Sequence, residues 1–105
     1  MTEGPCKVIE SFETIGSKWK LIVINDLMNG EKRFNQIKES TQASSRTLSR
    51  VLKELEKEEI VEKRVEKDPI ASYYKLTEKG LSLENVFTEI NTWAEEWLET
   101  ESTNN

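Results

Sequence analysis

Apolar residues recur at helical spacing through the first 40 residues of the chain. Between residues 7 and 15 they fall three or four positions apart, which predicts a short amphipathic helix. Residues 19–28 contain the run LIVI, which a strand could also carry. A length of about three turns and the Asn-Gly that follows predict a helix instead, buried on most sides. Phe34 and Ile37 predict a third, shorter helix that ends near Ser40.

The clearest helical pattern follows Ser44, whose side chain is well placed to cap the helix N-terminus. Apolar residues at i, i+3, i+4 and i+7 define one face of this helix: Leu48, Val51, Leu52 and Leu55. Beyond it, residues 61–67 roughly alternate between apolar and charged, as in a half-exposed strand. The turn signal Asp68-Pro69 and a second strand over residues 72–76 complete a predicted β-hairpin.

The last part of the chain predicts a long helix. Thr77 can cap it, and apolar residues keep helical spacing for four turns, although Gly80 near its start would cost about 1 kcal/mol relative to alanine. The order of helix, helix, short helix, helix, hairpin and long helix is the layout of a winged helix-turn-helix. We therefore expect an α+β, mostly α, fold in a single domain over residues 1–105, with the helix-turn-helix at about 34–58 and the wing at about 61–76.

The charge of the chain is divided unevenly. Its 15 basic and 20 acidic residues give a net charge of −5, which taken alone argues against binding to nucleic acid. Residues 81–105, however, contain six glutamates and no lysine or arginine, so that the first 80 residues hold 15 basic and 14 acidic residues. A basic face elsewhere in the chain is therefore compatible with the overall charge.

The chain holds few of the groups that catalysis and metal binding need. It has one cysteine and no histidine, which excludes an intrachain disulfide and a nucleophile paired with histidine. It also lacks a P-loop, a GxGxxG motif and a paired-cysteine metal site. We therefore expect no catalytic activity, no metal site and no cofactor. Without a signal-peptide pattern or an apolar run longer than LIVI, we expect a cytoplasmic protein that has no membrane partner.

The face of the fourth helix opposite its leucines carries serines and arginines. An arginine presents donors that match the O6 and N7 acceptors of guanine, and a serine hydroxyl can bond base edges or phosphates. We therefore expect this face to enter a DNA major groove and to contact base edges through Ser45, Arg46, Ser49 and Arg50. The alternative is an ordinary solvated face. Such faces usually mix signs, whereas residues 44–53 contain no acidic residue, although the helix dipole would favour one there.

Further polar and basic residues surround this helix in the sequence. Each alone is an ordinary surface group, but together they could hold phosphates on both sides of the groove. The candidates for phosphate contact are Arg33, Lys38, Ser44, Lys53, Lys63, Arg64 and Lys67. The two arginines among them could instead give structural support.

Large apolar residues of the first and last helices predict either of two roles. They could simply close the core. Alternatively, helices over about 7–15 and 81–100 form a dimer interface, which we favour because association is a common remedy for a small core. The residues expected in that interface are Val8, Phe12, Ile15, Phe87, Ile90, Trp93 and Trp97. A symmetric dimer would place two recognition helices about 34 Å apart, on a palindromic site.

Cys6 has a structural and a functional interpretation. As a small apolar residue it would only pack. As a thiol beside the positive charge of Lys7 it could ionise readily and react with oxidants or electrophiles. Adjacency in sequence is weak support for reactivity, so the residues alone favour packing.

Three segments, taken together, resemble the HxlR-type helix-turn-helix regulators, relatives of the MarR group. They are an N-terminal cysteine followed by IGSKWKLIVINDLMNGEKRFNQI, then SSRTLSRVLKELEKEEIVEKR, then YYKLTEKG. The resemblance extends from Cys6 to about Trp97. It implies a bacterial or archaeal transcription factor, commonly a repressor, which binds DNA as a homodimer paired through its first and last helices. It also implies a recognition helix at residues 44–57 and a wing at 61–76, and it makes sensing by Cys6 as well supported as packing.

Two departures from the family pattern concern the wing and the cysteine. Where the family often has an arginine able to enter the minor groove, this chain has DPIAS, with Lys67 as the nearest cation, so we expect weaker or phosphate-only wing contacts. Pro5 precedes Cys6, whereas the family usually places a proline after the cysteine, which alters the local geometry of the thiol.

Two other functions remain open on the sequence. A winged helix can serve as a protein-interaction module without specific DNA binding, which salt would barely affect, whereas DNA binding weakens steeply as salt rises. A regulator that responds to a small molecule would need a pocket between the dimer helices and the DNA-binding part. Trp19 and Trp93 could line such a pocket, although aromatic residues at helical spacing more often belong to the core.

Overall fold

The computed structural model describes residues 3–98, with the side chains of residues 3–6 and 14 left undescribed. The helices and strands in chain order are α1 (Glu3–Ile15), α2 (Lys18–Leu27), β1 (Lys32–Arg33), α3 (Phe34–Thr41), α4 (Ser45–Lys57), β2 (Val61–Lys67), β3 (Ile70–Leu76), α5 (Glu78–Leu81) and α6 (Glu84–Trp97). This order confirms the predicted winged helix-turn-helix, a mostly helical fold with one small antiparallel sheet.

The core forms where α4 packs against α2 and α3. The four apolar residues predicted to face inward from α4 are all buried to 1% exposure or less: Leu48, Val51, Leu52 and Leu55. They meet Val23, Ile24 and Leu27 of α2 and Ile37 of α3 in one cluster. Burying a side chain of this size stabilises the fold by about 1.5–3 kcal/mol. The α4 leucine face therefore fixes which side of that helix remains exposed.

The turn between α3 and α4 is short and well ordered by hydrogen bonds. Gln42 ends α3 in the left-handed region, with φ of 65°, and its backbone N–H donates to the carbonyl of Lys38. Ala43 is buried. Ser44 then caps α4, because its hydroxyl accepts a hydrogen bond from the backbone N–H of Thr47 at 3.1 Å. The predicted N-cap is therefore confirmed.

The sheet has the strand order β1-β3-β2, with both pairs antiparallel. Tyr74 and Leu76 of β3 face the core, and the ring of Phe34 lies 6.5 Å from that of Tyr74. Tyr73 lies opposite Arg33 of β1 and Arg64 of β2, which places the three side chains side by side on the other face of the sheet. Two of these features differ from expectation: β3 begins two residues earlier than predicted, and β1 is too short for any periodic signal.

The predicted long final helix is two helices, α5 and α6, with a turn at Ser82 and Leu83. The first of them is tied to the end of α4. Thr77 donates a hydrogen bond from its hydroxyl to the carbonyl of Glu59 at 2.6 Å, and its backbone N–H donates to that of Ile60 at 2.9 Å. A Cβ on Gly80 would lie 2.4 Å from the same Ile60 carbonyl oxygen. Glycine is therefore required at this position, because any larger residue would collide with the Ile60 carbonyl.

The helices at the two ends of the chain carry exposed apolar side chains. On α1 these include Val8 and Phe12, and on α6 they include Ile90, Trp93 and Trp97. Within residues 3–98, no helix combines the length and the apolar character that crossing a membrane demands. These helices therefore present apolar surface beyond what the core of one chain buries.

Replacing Ser44 with alanine should lower the free energy of unfolding by about 1 kcal/mol, because the first turn of α4 loses the acceptor for the Thr47 N–H. Ser49→Ala is the matched control, since Ser49 is exposed within the same helix and alanine is the better helix former. Urea unfolding at one fixed protein concentration measures both variants. Equal stability of the Ser44→Ala variant and the parent protein would contradict the capping role.

Candidate nucleic-acid interface

The exposed face of α4 gathers the residues expected to contact base edges. Ser45, Arg46, Ser49 and Arg50 are all exposed, as is Lys53 one turn further along. They lie opposite the buried leucines of the same helix, and the first acidic residue of α4 is Glu54. The N-terminus of α4 adds backbone N–H groups and the positive end of the helix dipole to this face. The result is a surface of hydrogen-bond donors with no carboxylate in its first two turns.

Most of the cations expected to contact phosphates are exposed around this helix. Lys38 is exposed on α3, and Lys63 and Lys67 are exposed on β2 in the wing. The guanidinium carbon of Arg33 lies 5.9 Å from the ring centre of Tyr73, and the ammonium of Lys63 lies 6.0 Å from that of Tyr74. The charges of Arg33 and Lys63 are therefore available to solvent while their side chains also contact tyrosine rings of the sheet.

Arg64 differs from the other expected phosphate contacts. Its Nη2 and Nε donate to the two carboxylate oxygens of Glu31 at 3.1 and 3.4 Å, and its Nη1 donates to Glu66. Its guanidinium carbon lies 4.4 Å from the ring centre of Tyr73. The hydrogen bonds that Arg64 donates to Glu31 and, secondly, to Glu66 raise the pKa of Arg64, and the same bond to Arg64 lowers the pKa of Glu31. This geometry favours structural support: Arg64 ties β2 across β3 to the residue before β1.

A network of charges that the sequence pattern did not indicate lies at the far end of this face. Arg50 Nη1 is 3.6 Å from a carboxylate oxygen of Glu54, which in turn is 4.0 Å from the ammonium of Lys20. Lys20 also bonds both oxygens of Glu58, at 3.1 and 3.3 Å. The sequence does not indicate this network, because Lys20 and Glu54 lie 34 positions apart and no periodic pattern connects them.

A second network ties the neighbouring elements to α2. Asp26 accepts hydrogen bonds from Lys32 at 2.8 Å and from the Ser40 hydroxyl at 2.7 Å. It therefore joins the ends of α2 and α3 to β1. Lys32 is half-buried in this contact, which distinguishes it from the exposed cations nearer to α4.

An open groove of about 660 Å³ separates α2 from α6. Its apolar lining includes Leu21, Met28, Phe87, Ile90 and Ala94. Neither Trp19 nor Trp93 is among the residues that line it, so the structure does not place the two tryptophans in this pocket as expected. Trp19 instead packs against the core, and Trp93 is exposed.

The residues expected in a dimer interface are exposed to different degrees. Phe12 and Trp97 are the most open, at 61% and 67%, and Val8, Ile90 and Trp93 are also at least half exposed. Phe87 packs partly against the core. Ile15 is only 8% exposed because it is buried within its own chain.

Cys6 lies in α1, but its side chain is outside the part of the structure that is described. The same holds for residues 99 and 100 at the end of the expected C-terminal dimerisation helix. Among the residues whose side chains are described, no cluster of three or more carboxylates or thiols has the geometry to hold a metal ion.

Comparison with known proteins places this geometry among regulators. The family described as HxlR-like helix-turn-helix matches residues 14–102. The HTH-type transcriptional regulator YodB of Bacillus subtilis (strain 168) is 42% identical over 97 residues, which cover 90% of this chain and 87% of YodB.

Solved structures agree with the sequence relatives. The reduced form of YodB superposes with a TM-score of 0.82 at 41% identity, covering 90% of this chain and 94% of YodB. Quinone-bound YodB gives 0.77 at 40% identity, covering 87% and 97%. The redox regulator HypR in its reduced form gives 0.81 at 31% identity, covering 92% and 98%. A putative MarR-family regulator of Enterococcus faecalis V583 gives 0.85 at 25% identity, covering 98% and 96%.

The residues that match the family include α2, the α3–α4 unit, the wing and α6, and the relatives are transcriptional regulators rather than enzymes. The resemblance inferred from GSKW, RFNQI and LTEKG is thereby confirmed. The chain belongs to the HxlR-like helix-turn-helix family of transcriptional regulators.

Proposed function

We propose that this regulator binds a specific DNA sequence by inserting α4 into the major groove. The observation that carries the proposal is the exposed face from Ser45 to Lys53, which has serine and arginine donors and no carboxylate. The opposite face is locked into the core, so α4 can present only this side to a partner. A helix face that only meets water has no need to exclude carboxylates, whereas a DNA groove lined by negative phosphates favours their exclusion.

Base edges and phosphates would be contacted by different residues of this surface. Arg46 and Arg50 can each donate two hydrogen bonds to one guanine, at its O6 and N7 atoms. Ser45 and Ser49 have shorter side chains and can form hydrogen bonds with base edges that lie closer to the helix. Phosphates on both sides of the groove would be held by residues that carry exposed donors: Arg33, Lys38, Ser44, Lys53, Lys63 and Lys67. The wing would then contact the backbone through its lysines, while Arg64 supports the sheet beneath them.

We also propose that the protein acts as a homodimer paired through α1 and α6. Exposed aromatic side chains on both helices would otherwise face water, and the groove between α2 and α6 offers an apolar surface next to them. A two-fold axis through this pair would present two copies of α4 to successive major grooves about 34 Å apart. The operator would then be palindromic. Repression follows if such a site overlaps a promoter.

Replacing both Arg46 and Arg50 with alanine should abolish the sequence preference of the protein. Selection of bound duplexes from a random DNA pool, at two salt concentrations in reducing buffer, should enrich a palindromic motif for the parent protein. Each single Arg→Ala change should then cost about 1–3 kcal/mol on that motif if the arginine bonds a guanine in pairs. Lys57→Ala, in the last turn of α4, is the control and should keep the preference.

Failure of the folded parent to enrich any motif at either salt concentration would contradict sequence-specific binding. A protein-interaction module would then be the better interpretation. An equal loss of affinity on all duplexes would instead identify the replaced arginine as a phosphate contact.

Replacing Phe12 or Trp93 with glutamate should convert the dimer into monomers, because each change puts a charge into the proposed apolar interface. Sedimentation velocity measures the change. Ile70→Glu is the matched control: Ile70 is 80% exposed but lies in the wing, so its variant should remain a dimer. A monomeric parent protein at micromolar concentration would refute the proposal.

We further propose that oxidants or electrophiles regulate DNA binding through Cys6. Its position in α1 places the only thiol of the chain in a helix of the proposed dimer interface. The related YodB has been crystallised with a bound quinone, and the related HypR is described as a redox regulator. The Cys6 thiolate would add to a ring carbon of a quinone, so that a C–S bond forms and a ring C=C π bond breaks. One proton from water and a proton shift within the ring then give a hydroquinone attached through a thioether, so the quinone itself is the oxidant and no other is needed.

Treatment with a quinone should weaken binding of the parent protein to its selected duplex and leave Cys6→Ser unaffected. Fluorescence anisotropy measures the affinity, and the mass of the intact protein reports the adduct. An adduct on Cys6 that leaves the affinity unchanged would contradict the regulatory role and favour the packing interpretation.

A further inference from the structure

Arg50 has a carboxylate partner, whereas Arg46, the other arginine of the proposed base-contacting set, has none among the side chains that the structure describes. Glu54 lies one turn after Arg50 on α4, and the two side chains are 3.6 Å apart. The residues three and four positions after Arg46 are Ser49 and Arg50, so α4 offers no carboxylate to Arg46 from the following turn. The two arginines therefore start from different states before any DNA binds.

Glu54 is itself held between two cations. On its other side, the ammonium of Lys20 lies 4.0 Å from Glu54 and 3.1 Å from Glu58. The Lys20 side chain is only 8% exposed, and it comes from α2, whose neighbouring residues form the core. Because it is buried, the Lys20 ammonium holds its positive charge at a defined place, hydrogen-bonded to Glu58 and close to Glu54.

A carboxylate on a surface that meets DNA would normally weaken binding by repelling phosphates. Two features reduce that effect at Glu54. The Lys20 ammonium compensates its charge from the protein side, and Arg50, itself part of the donor face, compensates it from the other side. The remaining effect of Glu54 is geometric: its attraction favours conformers in which the Arg50 guanidinium lies near the carboxylate, with the two side chains 56% and 44% exposed.

We propose that Glu54 is a positioning residue for Arg50, anchored from the core by Lys20. By restricting Arg50 before binding, Glu54 lowers the entropy that this side chain loses when it contacts a base. Glu54 thereby determines specificity at the base pair that Arg50 contacts. This inference rests on the proposed DNA binding through α4.

A double-mutant cycle of Glu54→Gln and Arg50→Ala tests the proposal. Two duplexes are compared: the selected one, and one changed at a single base pair, namely the base pair at which Arg50→Ala loses its preference. The measured quantity is the ratio of the affinities for these two duplexes. Glu54→Gln should lower that ratio on the order of two- to tenfold, the range expected for one side chain that is no longer ordered in advance. In the Arg50→Ala background it should have no further effect.

Glu56→Gln is the matched control, because it removes a carboxylate from the same helix but has no arginine partner among the described side chains. It should leave the ratio unchanged. Lys20→Met should lower the ratio in the same direction as Glu54→Gln, and an unchanged ratio in a folded Lys20→Met variant would overturn the anchoring role of Lys20.

Side-chain NMR of the arginine Nε–H groups supplies a readout without DNA. Glu54→Gln should increase the mobility of Arg50 and leave that of Arg46 unchanged, whereas a purely structural role of Glu54 would move neither.

Two outcomes would overturn the positioning role of Glu54 and leave the proposed DNA recognition intact. One is a uniform gain of affinity for both duplexes with an unchanged ratio, which would make Glu54 a simple repulsive charge. The other is an equal drop of the ratio with and without Arg50, which would mean that Glu54 acts through another group. A parent protein that does not discriminate between the two duplexes would overturn the proposed DNA recognition as well.

Discussion

The burial of one face of α4 against α2 determines most of what this protein can present to a partner. Leu48, Val51, Leu52 and Leu55 are removed from water almost completely, and each contributes on the order of 1.5–3 kcal/mol. A rotation of α4 about its axis would expose this face and bury arginines without partners, which is far more costly. The helix therefore has one stable orientation, and its serine and arginine face is held outward by hydrophobic packing.

Ionic contacts then connect the peripheral elements to this packed centre. Asp26 joins the end of α2 to Lys32 and Ser40, and Lys20 joins the start of α2 to the C-terminal end of α4. Arg64 connects the strands of the sheet through Glu31 and Tyr73. Each contact is worth little in isolation where it is exposed to solvent. Their common effect is on geometry, since they link α3, α4 and β1 to α2, and β2 to the residue before β1.

The sequence predicted elements that depend on local periodicity and could not predict those that depend on distant contacts. The four apolar positions of α4 repeat within one helix and Ser44 is adjacent to its first turn, so both the buried face and the N-cap were predicted correctly. The turn at Ser82 and Leu83 divides α5 from α6 within one continuous helical pattern, and the close approach of Gly80 to the Ile60 carbonyl joins positions 20 residues apart, so local periodicity predicts neither.

In the candidate site, too, features set by local periodicity could be predicted and contacts between distant residues could not. Exposure of Ser45, Arg46, Ser49 and Arg50 follows from helical geometry alone, because they alternate with buried leucines. The pairing of Arg64 with Glu31 spans 33 positions, and that of Lys20 with Glu54 spans 34. Charged residues make up 33% of this chain, so a single sequence allows many such pairings and favours none.

The net charge of −5 is compatible with DNA binding because the fold separates charges of opposite sign. Leu21, Asn25 and Met28 of α2 line the groove shared with α6, whereas Lys20 on a different face of α2 meets α4. The acidic α6 and the basic face of α4 are therefore held on different sides of the same helix. In the proposed complex, the field of a DNA duplex would attract the basic side of this arrangement and repel the acidic side. The acidity of the last helix would then favour the orientation in which α4 meets the groove, instead of opposing the proposed binding as the overall charge suggests.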